Sequence, residues 1–277
     1  MKIVKKISEI KEIVSNFKKN KKEINLIPTM GNIHAGHLSL LSEANTFDGI
    51  NIVSIFVNPT QFNDEDDFNN YPNTFEADME ILSKTNCKII FAPSRNQMYP
   101  EGIKSEKTVF KYRDILCDFY RLGHFDGVTT IVEILFNLIE PSKVFFGEKD
   151  FQQLKIVEQL IFQNNLKINL IKCPSIRDSN GMSFSSRYSI FSKDEKSKFE
   201  KCAKIINTNL LKFKKNFNHK ILDNIKLELR SYGISKIDYF EVRNEEDLSL
   251  SIKNERSRLF IAFYLNKVRV IDNFILY

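Results

Sequence analysis

The sequence predicts an α/β protein, with a parallel sheet flanked by helices followed by a smaller α+β unit. Two patterns carry this expectation. Through residues 1–174 short apolar runs alternate with segments of helical period, as parallel strands joined by helical crossovers do. After Pro174 two charged helical stretches come first and three short strands follow. Size agrees: 277 residues, 42% of them hydrophobic, suffice for one large domain or two modest ones around packed cores.

Met1 to Lys22 mixes Lys, Glu and Ile at helical spacing, with Ile7, Ile10, Val14 and Phe17 on one stripe. Ile24 to Ile27 reads as a strand, Gly36 to Asn45 as a helix and Ile50 to Val57 as a second strand. Asn73 to Lys84 is helical through the stripe Phe75, Met79 and Leu82, and Lys88 to Ala92 is strand-like. Thr129 to Ile139 is a strongly apolar helix. Val144 to Phe146, Asp150 to Gln163 and Leu166 to Ile171 then read as strand, helix and strand. Beyond Pro174, helices are expected near 194–215 and 219–232, and strands at Ile237 to Val242, Leu259 to Leu265 and Val268 to Ile275. Leu265-Asn-Lys-Val268 has the form of a hairpin turn.

Composition excludes several classes. No apolar run reaches the ~18 residues of a membrane span, and the N-terminus lacks the continuous apolar stretch of a signal peptide, which points to the cytoplasm. Cys87, Cys117, Cys173 and Cys202 lie far apart, without metal or redox spacing. The net charge of +6 is uneven: residues 1–174 carry 21 Lys+Arg against 22 Asp+Glu, residues 175–277 carry 20 against 13. A basic C-terminal third suits nucleic acid or an anionic substrate. Its lysines (Lys193, Lys196, Lys198, Lys201, Lys204, Lys212, Lys214, Lys215) show no aromatic interleaving, so a solvated helix surface is the expectation, with no nucleic acid partner.

Three segments carry chemistry. His34-Ala-Gly-His37 follows a strand, a Pro and a Gly, and opens a helix. Backbone N–H groups at a helix start favour anions, Gly36 lets a phosphate approach, and two imidazoles three residues apart can donate to phosphate oxygens. A metal pair would need further ligands, and none is suitably placed. Phe146-Gly-Glu-Lys-Asp-Phe-Gln-Gln153 ends a strand and begins a helix. Lys149 at that entry opposes the helix dipole, which suggests an anion for it to meet. Arg177-Asp-Ser-Asn-Gly-Met-Ser-Phe-Ser-Ser-Arg187 places hydroxyls and guanidinium on a loop suited to a triphosphate. Asn58 and Gln61, in Val57-Asn-Pro-Thr-Gln-Phe62, lie just past a strand end, where amides can read a substrate or simply form the turn. Gly123-His-Phe-Asp-Gly127 is a further short motif. The acidic run Asp64 to Asp67 lacks calcium-loop spacing and reads as a mobile, solvated loop.

In combination and order, PTMGNIHAGH, SIFVNPTQF, YPNTFEAD, FAPS, GHFDGV, FGEKDFQQL and SNGMSFSSR resemble the pantothenate synthetase (pantoate–β-alanine ligase) family over almost the full chain. That family lies within the H-x-G-H nucleotidyl-transferase superfamily. The resemblance implies a Rossmann-like domain over 1–174, a C-terminal lid domain over 175–277, a homodimer, and Mg²⁺-ATP. It implies ligation of pantoate to β-alanine through a pantoyl adenylate. It assigns ATP to Met30, Gly31, Asn32, Ile33, His34, Ala35, Gly36, His37, Gly147, Glu148, Lys149, Asp150, Ile176, Phe184, Ser185, Ser186 and Arg187. His34, His37 and Lys149 would be catalytic, Gln61 and Gln153 would hold pantoate with Asn58 close by, and Gln61 would help place β-alanine. No metal ligand from the protein follows. Leu122, Phe184 and Tyr188 depart from the family pattern, which mostly has Pro, Met or Leu, and Asn there. The alternatives left open by the residues themselves are another H-x-G-H adenylyltransferase, a class I synthetase fragment, or a basic nucleic-acid-binding module.

Overall fold

In the computed structural model the described residues are 1–63, 65–106, 108–252 and 256–277. They form two compact units, Met1–Pro174 and Ser175–Tyr277. The first contains strands β1 (Lys2–Val4), β2 (Ile24–Thr29), β3 (Ile50–Ile55), β4 (Ile89–Phe91), β5 (Lys143–Gly147) and β6 (Asn169–Cys173). Its helices are α1 (Ile7–Lys19), α2 (Ala35–Ala44), α3 (Glu65–Asn69), α4 (Phe75–Ser83), α5 (Arg95–Met98), α6 (Leu116–Tyr120), α7 (His124–Ile139) and α8 (Phe151–Gln163).

The six strands form one sheet in the order β1-β4-β3-β2-β5-β6, and every pairing is parallel. Successive strand residues point to opposite faces. Ile27, Val53, Ile90 and Phe145 pack with Leu40, Leu41 and Ala44 of α2 and Leu82 of α4. Leu26, Ile52 and Val144, each one residue out of phase, are fully buried on the other side, where α7 packs on β2 and α8 on β5. Burial on both faces explains why these strands read as continuous apolar runs.

Local differences from expectation have physical causes. The edge strand β1 escapes a reading based on helical spacing, because three residues carry no period. Pairing with β4 makes it a strand. Strand β6 begins at Asn169 because Asn165, with φ +50°, first turns the chain out of α8. The acidic run was expected to be a mobile loop. Asp64 lies outside the described residues, and Glu65–Asn69 form α3. Three carboxylates in its first turn complement the helix dipole. Phe62 anchors it through edge contacts to Phe68 at 5.3 Å and Tyr71 at 5.5 Å.

The second unit holds α9 (Lys193–Asn216), α10 (His219–Ser231) and an antiparallel sheet of β7 (Ile234–Asn244), β8 (Ser257–Leu265) and β9 (Val268–Ile275). Ser192 and Glu195 close a reciprocal capping box at the start of α9. One face of α9, with Phe199, Cys202, Ile206, Leu210 and Phe213, packs with Leu259, Ile261, Phe263 and Leu265 of β8. Lys193, Lys196, Lys201, Lys204, Lys212 and Lys215 are exposed, and the lysine-rich stretch is the solvated face of an amphipathic helix. The β8–β9 hairpin turns at Asn266, with Leu265 paired to Val268. No helix among the described residues is long and apolar enough to cross a membrane.

Candidate active site

The strand order creates the site. From β2 the chain runs through β3 and β4 on one side, then returns to place β5 and β6 on the other. The crevice at the carboxyl ends of β2 and β5 is therefore a topological switch point, where open parallel sheets bind ligands. The H-x-G-H loop leaves the end of β2, and Gly147–Asp150 leaves the end of β5, its direct neighbour. The segment Asn58–Gln61 follows β3, on the other flank of β2.

His34 and His37 cap the helix they open. The Nδ1 of His34 accepts the Gly36 N–H at 3.1 Å, and the Nδ1 of His37 accepts the His34 N–H at 3.4 Å, in a reciprocal capping box. The rings stack with centroids 4.0 Å apart. An imidazole that accepts at Nδ1 while neutral carries its proton on Nε2. Neutrality is enforced: burial, then the Lys149 charge, lowers the His34 pKa to about 4. Burial, then His34 and Lys149, lowers that of His37 to about 3. The sequence pointed to backbone amides of this helix start as the anion cradle. Within it the Gly36 amide donates to His34, and those of Asn32 and Ile33 donate to Asp78. Both rings accept at Nδ1, which leaves their protons on Nε2.

Lys149 lies in the 3-10 turn Glu148–Asp150, close enough to influence both rings, and meets Asp150 at 3.4 Å. Gln152 and Gln153 differ sharply. Gln152 is buried and fully engaged, accepting the Cys117 N–H at 2.9 Å and donating to the Tyr112 and Ile115 carbonyls. The Gln153 amide makes no hydrogen bond to a described residue.

Asn58 and Gln61 differ in the same way. Asn58 is 1% exposed. Its Oδ1 accepts from the Tyr99 hydroxyl at 2.7 Å and from the backbone and hydroxyl of Thr60, and its Nδ2 donates to the Gly127 carbonyl at 3.0 Å. The side chain is thus committed to holding the turn Pro59–Gln61. The Gln61 carbonyl is gripped by Arg121 at 2.8 Å and His124 at 2.7 Å, and its side-chain amide makes no hydrogen bond to a described residue. Sequence reasoning passed over Arg121, Tyr99 and Asp78. Their partners are 60, 41 and 46 residues away.

In the second unit, Ile176 accepts the Phe184 N–H, closing the loop that carries Phe184 to Arg187. Arg177 is committed to Asp272 at 3.0 Å and to the Gly181 and Asn273 carbonyls, and lies over the Phe274 ring. Asp272 also accepts the Ser183 N–H at 2.8 Å. Of the two guanidinium groups in the motif, Arg177 thus builds the loop. Ser185 caps the turn Ser186–Ile190 by accepting the Arg187 N–H.

The model of the family described as pantoate-beta-alanine ligase matches residues 2–275. The chain belongs to this family. Among its relatives, pantothenate synthetase of Caldicellulosiruptor bescii is 38% identical, covering 99% of both chains. That of Thermosipho africanus is 36% identical over 100% of each. Among solved structures, the chain is similar to pantoate-beta-alanine ligase from Francisella tularensis, complexed with beta-gamma ATP and β-alanine. That match has a TM-score of 0.87 and 32% identity, and covers 100% of this chain and 98% of the other. Pantothenate synthetase from Thermus thermophilus gives a TM-score of 0.89 at 28% identity, with 100% of both chains covered.

Of the three departures named above, Tyr188 has a structural role. Leu122 is 76% exposed, and its carbonyl accepts from Asn63. Tyr188 packs against Phe191 and Phe199 of the C-terminal core, docking the turn that carries Arg187. Nothing in the structure explains Phe184 in place of Met or Leu.

Proposed function

We propose that this ligase joins pantoate to β-alanine through a pantoyl adenylate, with His34, His37 and Lys149 as the groups that meet ATP. A pantoate carboxylate oxygen attacks the α-phosphorus, the bond to the bridging oxygen of pyrophosphate breaks, and pyrophosphate leaves. The β-alanine amine then attacks the acyl carbon, the bond to the AMP oxygen breaks, and the amine loses its proton. AMP is a far better leaving group than an oxide, so activation must precede amide formation.

The observation that carries this reading is the stacked imidazole pair beside Lys149 at the switch-point crevice. Two neutral rings with their protons on Nε2 and one ammonium can stabilise charge that builds on phosphate oxygens. Gln61 and Gln153 read pantoate, since their amides are uncommitted, and Gln61 also helps place β-alanine. Asn58 acts through Gln61. Met30 to His37, Gly147 to Asp150, Ile176 and Phe184 to Arg187 hold ATP. Residues 1–174 form the nucleotide- and pantoate-binding domain, and 175–277 the domain that closes on substrates. No group of three His, Cys, Asp or Glu suited to a metal occurs among the described residues. We take Mg²⁺ to enter with ATP, where it would neutralise phosphate charge. We take the protein to be a cytoplasmic homodimer.

The test uses pantoate labelled with ¹⁸O in its carboxylate. ATP and pantoate alone should give bound adenylate and pyrophosphate approaching one equivalent per site. On adding β-alanine the label should appear in the phosphate of AMP. Unlabelled AMP, or ADP as the product, overturns the route.

A further inference from the structure

We propose that Asp78 is a positioning residue for the ligation, its carboxylate clamping the loop that delivers His34 and His37. The loop passes through left-handed backbone at two successive residues, φ +81° at Gly31 and +52° at Asn32. Left-handed geometry is open to glycine and tolerated by Asn, but costs an L residue energy unless something holds it. One side chain does so from 45 residues away. Its Oδ1 accepts the Ile33 N–H at 2.7 Å, and its Oδ2 accepts the Asn32 N–H at 2.9 Å and the Thr74 hydroxyl at 3.1 Å.

Asp78 is 2% exposed, so these bonds do not compete with water. Hydrogen bonds to an ionised acceptor are roughly twice as strong as neutral ones. The fit is close: a Cβ on Gly31 would lie 3.0 Å from Oδ2. The carboxylate therefore bonds two successive residues and leaves little room for a side chain at the one before them. The next residue is His34, whose extended backbone (φ −136°, ψ 178°) begins α2 and whose ring makes the capping box. A shift at Asn32 and Ile33 passes directly into the two imidazoles. Asp78 sits in the first turn of α4, so the clamp ties the histidines to the layer packed on the sheet. Its role is positional, and it is distinct from every residue assigned above to ATP or pantoate.

The proposal rests on the roles given to His34 and His37, but its structural half is read separately from the imidazole signals. Asp78→Asn replaces one acceptor by an NH₂ that faces a backbone donor. Thr74→Val removes a single hydroxyl and serves as the mild variant. For the full-length protein, kcat, the ATP KM, melting temperature and side-chain ¹⁵N NMR of the histidines are compared. In Asp78→Asn, kcat at saturating substrates should fall about 10–100-fold, the scale of a misplacement near 1 Å. The His34 and His37 signals should leave the single Nε2–H tautomer for an average of two. Thr74→Val should move both readouts the same way, kcat by a few-fold, with little change in melting. Unchanged imidazole signals in both variants, or Asp78→Asn within twofold of the parent kcat, overturn the proposal. If Asp78→Asn does not fold, Thr74→Val decides, and parental kcat with parental signals overturns it. A parent that forms no pantothenate refutes the reaction assigned above, while shifted imidazole signals would still establish the clamp.

Discussion

Replacing Gly127 by Ala tests whether the Pro59–Gln61 turn holds the acid substrate. A Cβ at Gly127 would lie 2.3 Å from the Thr60 carbonyl oxygen, and 2.6 Å from both its carbonyl carbon and its hydroxyl. Ordinary non-bonded contact begins near ~3.5 Å, so the turn and α7 must separate by about 1 Å. Two of the three nearest atoms are backbone, which cannot rotate away. The Asn58 bond to the Gly127 carbonyl, 3.0 Å long, stretches with them. Overpacking of this kind costs about 1–3 kcal/mol. For a unit of this size that is roughly 2–4 °C in melting temperature per kcal/mol. Gln61, whose carbonyl is pinned by Arg121 and His124, is pulled from its place. A misplacement near 1 Å can cost about 10²-fold, so kcat/KM for pantoate should fall by one to two orders of magnitude, with a smaller change in the ATP KM. Steady-state release of AMP and a thermal melt measure both. Parental pantoate kinetics with a melt within about 1 °C of the parent would refute the reasoning.

The remaining predictions concern charge and recognition. His34 and His37 should stay neutral in ¹⁵N titrations down to about pH 4 and 3. Above about pH 6.5 both folded and unfolded chains hold these rings neutral, so they contribute no pH dependence. Below it the unfolded chain takes protons that the folded one refuses, so stability falls as pH drops toward 4. A His34→Asn, His37→Asn variant should lose less stability than the parent between pH 7 and 5, and an equal loss would contradict the assignment. Lys149→Ala should lower kcat more than it raises the ATP KM, because its charge matters most as phosphate charge builds. The melt should change little, since the ion pair to Asp150 is long and partly exposed. A large melting shift with parental kcat would make the residue structural. Gln153→Ala should raise the pantoate KM and relax discrimination against a deoxy analogue, because a site built for a hydroxyl rejects its absence. Unaltered discrimination would place the pantoate site elsewhere.

The alternation of apolar runs with helical stripes declared the parallel sheet, because short apolar runs and a period of 3.6 are local properties of a chain. The helix start at His34 and the hairpin at Asn266 were legible for the same reason. Family resemblance added the reaction, by a combination of motifs that no single motif could carry. Tertiary structure decided what depends on distant partners. Strand order placed β2 between β3 and β5, and only that order brings Lys149 to the histidines. Asn58, which in the sequence could read a substrate or form the turn, bonds Tyr99, Thr60 and Gly127. Arg177 was occupied by Asp272, 95 residues away. Asp78, unremarkable among the acids of a helix start, became the clamp on the histidine loop. A polar side chain carries in the sequence only what it can donate or accept. Whether that capacity is spent inside the protein or kept for a ligand depends on partners that folding brings beside it.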